Sequence, residues 1–256
     1  MSRLTIPRVN TILNTDARTL LQAIPEQVDL IFTSPPYNIG PANSERRDGY
    51  RKKGKYDPKS YGGIRGYFDC LPEDEYQDDQ VKLLETAATS LKTDGTLVYN
   101  HKPRRRNLQM IHPMVWLSRV QGLTLMEEII WDRGSTHNHS NRLLWPHTER
   151  LYVFRRTDGT YRFRNHAKLA HRHDIWHIPL TPTPYGGHAA PYPERLARAV
   201  VQAFSRAGDL VVDPYMGSGT TAAAAVALGR NFLGAEKDPH YADLALKRVE
   251  EVSRAA

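Results

Sequence analysis

The sequence predicts an α/β protein, a mainly parallel sheet covered by helices on both faces. Three observations carry this. Segments of strand character alternate with segments of helical periodicity along the 256 residues. The run Val28–Phe32 is near-continuously apolar, as a strand buried on both faces should be. Residues 209–228 read as strand, glycine turn and helix, the outline of a nucleotide-binding unit.

Taken in order, residues 4–24 are expected to hold a short strand, a turn at Asn14-Thr15-Asp16 and a helix from Ala17 to Ile24. The apolar strand follows. Residues 38–72 are polar, rich in Gly, Lys, Arg and Tyr, and lack apolar periodicity; so long a stretch is functional or disordered. Val81, Leu84, Ala88 and Leu91 recur at helical spacing and predict a helix over 73–91. Asp94-Gly95 reads as a turn, 96–100 as a strand, 108–121 as a helix and 124–131 as a strand. A His-rich loop over 132–147 leads to a strand at 149–154. Residues 155–190 are basic and then rich in Pro and Gly, with strand character at 174–178. A helix at 193–205, a strand at 210–212, a helix at 222–228, a strand at 231–235 and a helix at 241–252 complete the pattern. There is no internal repeat.

The most informative local feature closes the first buried strand. Asp29-Leu30-Ile31-Phe32 runs into Thr33-Ser34-Pro35-Pro36-Tyr37. Two prolines cannot donate ladder hydrogen bonds, so the strand must stop there. The loop leaves the carboxyl edge of the sheet, where ligands of open α/β sheets bind. Backbone carbonyls, a hydroxyl and a flat ring suit a planar base bearing an amino group.

Formal net charge is +7 and the pI is about 9.5. Residues 41–60 carry seven Lys/Arg against three acids, and residues 155–173 six against one. The rest of the chain is close to neutral, so two basic segments sit on a neutral body, the footprint of a polyanion ligand. The single cysteine, Cys70, excludes an intrachain disulfide and a cysteine-based zinc site. No apolar stretch is long enough to span a membrane and no signal-peptide core is legible, so a cytoplasmic protein is expected. The clustered histidines, including His171, His173 and His177, have few neighbouring acids, and no metal is expected.

In the glycine unit, Gly217 and Gly219 permit a tight turn and close approach of a ligand, and Glu236 closes the next strand, where an acid receives ribose hydroxyls. Ala222 fills the third glycine position of the dinucleotide pattern, and Asp213 would repel a pyrophosphate. A ligand with a cationic end, such as S-adenosylmethionine, fits better. No Lys follows the glycines, which excludes a phosphate-binding loop of the nucleotide triphosphatase type.

Thr33–Tyr37 followed by Asp213-Pro214-Tyr215-Met216-Gly217-Ser218-Gly219-Thr220-Thr221, in this order, resembles the β class of amino-group DNA methyltransferases. Asp16, the segment His188–Arg195 and Gly234-Ala235-Glu236 support it. The resemblance covers nearly the whole chain, apart from 40–70 and 155–185. It implies a Rossmann-like, circularly permuted methyltransferase fold in one catalytic domain over 1–256. Ser34, Pro35, Pro36 and Tyr37 would form the catalytic loop. S-adenosyl-L-methionine would be held by Asp16, Thr33, His188, Ala190, Pro191, Asp213, Pro214, Met216, Gly217, Ser218, Gly219, Thr220, Thr221, Glu236 and Lys237. Target recognition would lie in 155–187, aided by the basic insertion 40–70. The expected DNA contacts are Arg51, Lys52, Lys53, Arg104, Arg105, Arg162, Arg164, Lys168 and Arg172.

Within that class a Ser at position 34 accompanies N4-cytosine enzymes and an Asp usually accompanies N6-adenine enzymes, so cytosine is the expected base and adenine the alternative. Methylation at carbon 5 needs an attacking thiolate, and Cys70 follows Phe68-Asp69 rather than a proline. The expected partner is double-stranded DNA, at the nucleoid, with a second copy of the chain and a restriction endonuclease of the same site left open. A DNA-binding module without chemistry, or an RNA or protein methyltransferase, are the competing classes.

Overall fold

The computed structural model describes residues 7–39, 60–61, 64–65, 69, 71–106, 109–135, 143–161, 173–180, 185–187 and 191–255. In chain order the strands are β1 (Thr11–Leu13), β2 (Val28–Thr33), β3 (Ser60–Tyr61), β4 (Ile64–Arg65), β5 (Leu91–His101), β6 (Arg104–Arg106), β7 (Gln109–Ile111), β8 (Leu123–Asp132), β9 (Thr148–Arg156), β10 (Ile175–His177), β11 (Leu210–Asp213) and β12 (Asn231–Ala235). The helices are α1 (Ala17–Gln22), α2 (Glu73–Ser90), α3 (Met114–Leu117), α4 (Glu194–Phe204), α5 (Thr220–Ala227) and α6 (Pro239–Ala255). Eight strands form one sheet in the order β1-β12-β11-β2-β5-β9-β8-β10. β9 runs antiparallel to both of its neighbours, and the other five pairings are parallel.

The apolar strand is buried along its whole length because both faces of the sheet are covered. Leu30 and Phe32 point to α4, α5 and α6, while Ile31 points to α1, α2 and α3. Side chains alternate across a strand, so one apolar run feeds two cores. Among the described residues no helix is long and apolar enough to cross a membrane.

The chain leaves β11 through α5 towards β12 and leaves β2 through α2 towards β5, in opposite directions. The carboxyl ends of β11 and β2 therefore border a crevice, the binding position of open α/β sheets.

Two expectations need correction. The helix expected over 108–121 is instead a hairpin of β6 with β7 followed by the one-turn α3. Pro113 starts α3, having no N–H to contribute to an earlier helical turn. The turn expected at Asp94-Gly95 lies within β5, in an irregularity where Val28 pairs with Leu91 but Leu30 with Thr96. A Cβ on Gly95 would stand 2.6 Å from the Val28 carbonyl, so the irregularity needs glycine.

Candidate active site

The catalytic-loop candidates and the glycine turn are neighbours because β2 and β11 pair in parallel, Leu30 opposite Val211 and Ile31 opposite Val212. Across the junction, Thr33 Oγ1 donates to Asp213 Oδ1 at 2.9 Å. Asp213 is 1% exposed. It also accepts from the Tyr215 N–H (3.0 Å), the Tyr192 hydroxyl (3.0 Å) and the Thr221 hydroxyl (2.6 Å). Burial pushes its carboxyl up from the ordinary value, against the pull of these four donors. Four donors fill the four acceptor sites of a carboxylate. The sequence suggested that Asp213 contacts a ligand with a cationic end; here both its oxygens are taken by protein donors that brace β2 to the glycine turn.

In the turn, Gly219 has φ +81°, and Glu236 Oε2 accepts from the Gly217 N–H at 2.8 Å. Burial raises the Glu236 carboxyl. The Asn14 side-chain amide spans the ends of β1 and β12, donating to the carbonyls of Glu236 and Lys237. Asp16, two residues on, caps α1 by accepting from the Thr19 N–H at 2.9 Å. Met216 is packed on Gly234. Thr220 is turned away, accepting from Arg248 at 2.9 Å. Pro191 precedes Tyr192, and Pro214 follows Asp213 in the buried floor.

The catalytic-loop candidates are braced twice. Tyr76 donates to the Pro36 carbonyl (2.8 Å), and its oxygen lies 2.7 Å from His101 Nε2. With the tyrosine proton given to Pro36, Nε2 carries the imidazole proton and Nδ1 accepts from the Lys102 N–H at 2.8 Å. Burial holds this imidazole well below its ordinary pKa, hence neutral. After the loop, Asn38 takes φ +54°, and Asp69 accepts from the N–H groups of Asn38 and Ile39 at 2.6 and 3.0 Å. Among the described residues the Pro35 carbonyl accepts no hydrogen bond.

Tyr37 stacks obliquely on His101, with ring centres 4.4 Å apart. Its ring keeps some exposure, but its hydroxyl is enclosed between Ser34 Oγ (2.8 Å) and Glu149 Oε2 (3.0 Å). Burial first, then the Glu149 charge, push the phenol well above its ordinary value. Asn100 Nδ2 reaches Ser34 Oγ (3.3 Å) and Glu149 Oε2 (3.2 Å).

A family model described as DNA methylase, for N6 and N4 amino methylation, matches residues 28–247. The chain belongs to this DNA methylase family. It is 25% identical to the DNA adenine methyltransferase YhdJ of Escherichia coli, over 95% of this chain and 83% of that protein. It is 28% identical to the type II methyltransferase M2.DpnII of Streptococcus pneumoniae, over 88% and 84%. A candidate DNA modification methylase from Thermus thermophilus, solved with S-adenosyl-L-methionine, superposes with TM-score 0.67 at 26% identity, covering 96% of this chain and 95% of that one. The PvuII DNA methyltransferase (cytosine-N4-specific) shares the fold, with TM-score 0.71 at 18% identity, over 98% and 94%.

The cofactor of the methylase is S-adenosylmethionine, and the turn suits it. Ser218 Oγ is buried in the turn with no protein partner among the described residues, an atom awaiting a ligand. Glu236 retains acceptor capacity for ribose hydroxyls beside two N–H donors, those of Gly217 and Asp238.

Among the DNA-contact candidates, Arg104 must be reassigned. Its side chain is 3% exposed and forms a two-pronged ion pair with Glu73 (2.9 and 2.6 Å), and it lies over the rings of Tyr76 and Trp116. It supports the wall behind the catalytic-loop candidates and cannot reach phosphate. Arg105 stays partly exposed on the same hairpin. Arg51, Lys52, Lys53, Arg162, Arg164, Lys168, Arg172, His188 and Ala190 lie outside the described residues. Sequence reading passed over Tyr76, Asn100, His101, Glu149 and Tyr192. The one legible signal was Asn100-His101, two polar residues ending an apolar strand beside the loop.

Proposed function

We propose that this methylase transfers a methyl group to the N4 amino group of cytosine in duplex DNA, at a defined sequence, as the modification half of a restriction pair. The observation that carries the reading is the acceptor pair Ser34 Oγ and Pro35 carbonyl, set beside the Thr33–Asp213 junction to the cofactor turn.

Bound S-adenosylmethionine would supply an electrophilic methyl group, with the carbon–sulfur electron pair left on sulfur and the proton lost by the amino nitrogen released to solvent. Gly217, Ser218, Gly219 and Glu236 would hold it, with Thr33, Asp213 and Thr221 bracing the turn. The target amino group is a poor nucleophile because its lone pair is delocalised into the ring. Ser34 Oγ and the Pro35 carbonyl would each accept one of its N–H groups, turning the lone pair out of conjugation. Tyr37 would stack on a base extruded from the duplex. The prolines and the Tyr76 and Asp69 braces hold these acceptors still, so positioning supplies much of the rate.

Ser34 supports cytosine through the class pattern. Adenine is the second reading, favoured by the likeness to the E. coli adenine enzyme. Mass spectrometry of nucleosides from treated DNA separates them: N4-methylcytosine is expected, and N6-methyladenine alone overturns the choice of base. A restriction partner would show as a nuclease blocked by this modification.

A further inference from the structure

Glu149 lies outside every motif, yet it is the one carboxylate hydrogen-bonded to Tyr37 among the described residues. β9 runs antiparallel to β5, pairing Leu151 with Asn100 and Arg150 with His101, so its first residues arrive at the carboxyl end of β5, beside the catalytic loop. Glu149 is 7% exposed, and Arg133 donates to its Oε1 at 3.2 Å.

Donor counting sets the direction of the network. A carboxylate facing an arginine only accepts. The single Tyr37 proton therefore goes to Glu149 Oε2 (3.0 Å), and the Tyr37 oxygen is left as an acceptor. Ser34, 2.8 Å away, must donate to it. The Asn100 amide, its Nδ2 held by the same Oε2, gives a further N–H to Ser34 Oγ. Ser34 is left with a lone pair to offer and no proton. With the chain reversed, Ser34 would present a proton to an amino group that is itself a donor.

We propose that Glu149 is a positioning residue that directs the hydrogen-bond chain through Tyr37 and Ser34, so that Ser34 meets the target amino group as an acceptor. The proposal rests on the amino-methylation reading above. It is tested with Glu149→Gln and Tyr37→Phe, singly and together, by the single-turnover methyl-transfer rate, DNA affinity and cofactor affinity.

Arg133 would hold the Gln oxygen, turning the amide N–H2 towards Tyr37 and reversing the chain. The expected loss in rate is about 10- to 100-fold, the scale of one hydrogen bond to a charged group. DNA and cofactor affinities stay near wild type, and Glu149→Gln costs nothing further in Tyr37→Phe, where the chain is already cut. Wild-type rates in Glu149→Gln, or an equal loss in both backgrounds, overturn the proposal. If Glu149→Gln does not fold, Tyr37→Phe decides alone, because it keeps the ring and removes the link; an undiminished rate overturns the proposal. No transfer by the wild-type protein to either base is instead a failure of the functional reading.

Discussion

Gly219 shows how one position joins backbone and chemistry. Its φ of +81° lies in the left-handed region, and an added Cβ would stand 2.9 Å from the Ala245 Cα on α6. Gly219→Ala is expected to cost about 1–3 kcal/mol through strain and the shifted turn. Thermal melts and calorimetric titration with S-adenosylmethionine check this: both stability and affinity should fall. The glycine was legible because only its residue type fits such a turn. The Asp213 network was not, because Tyr192 and Thr33 reach the carboxylate from elements remote in sequence.

At the scale of elements, Arg104 on the β6–β7 hairpin ties that hairpin to the first turn of α2. Burial pushes the Glu73 carboxyl up, and the Arg104 guanidinium, together with the Gln77 amide and Arg106, more than reverses this, holding it below its ordinary value. Removing the arginine leaves the half-buried carboxylate with only the Gln77 amide and the longer Arg106 contact. Arg104→Met is expected to destabilise the fold by roughly 2–4 kcal/mol, with the salt dependence of DNA binding unchanged. A shallower salt slope would restore Arg104 as a phosphate contact.

His101, at the end of β5, is neutral and buried. Its folded pKa is depressed, so the unfolded chain binds the extra proton first. Stability is fully present above the unfolded value of about 6.5 and falls as pH drops towards the folded one, by at most about 1.4 kcal/mol per pH unit. Urea unfolding between neutral and mildly acidic pH should show this slope in wild type and lose it in His101→Gln. The 108–121 stretch misled because its apolar residues sit at helical spacing, while hairpin pairing and Pro113 decide the outcome.

At the scale of the molecule, seven of the Lys/Arg residues lie in 41–60, outside the described part of that region. Deleting 45–60 is expected to lower DNA affinity at about 0.1 M salt by about 10-fold or more and to flatten the salt dependence. Binding assays over a range of salt check it; unchanged affinity removes this segment from the interface.

The sequence by itself determined the alternating α/β plan, the stop of β2 at Pro35-Pro36 and the glycine turn, since each depends on local backbone chemistry or apolar periodicity. It also placed the chain among the amino methylases, because two specific motifs occur in a set order. Only the tertiary structure decided that β2 and β11 are neighbours, that Arg104 faces inward and that Glu149 stands behind Tyr37. Strand order and side-chain meeting are set by packing between segments up to 223 residues apart, as where the Asn14 amide donates to the Lys237 carbonyl. No local pattern encodes such a distance.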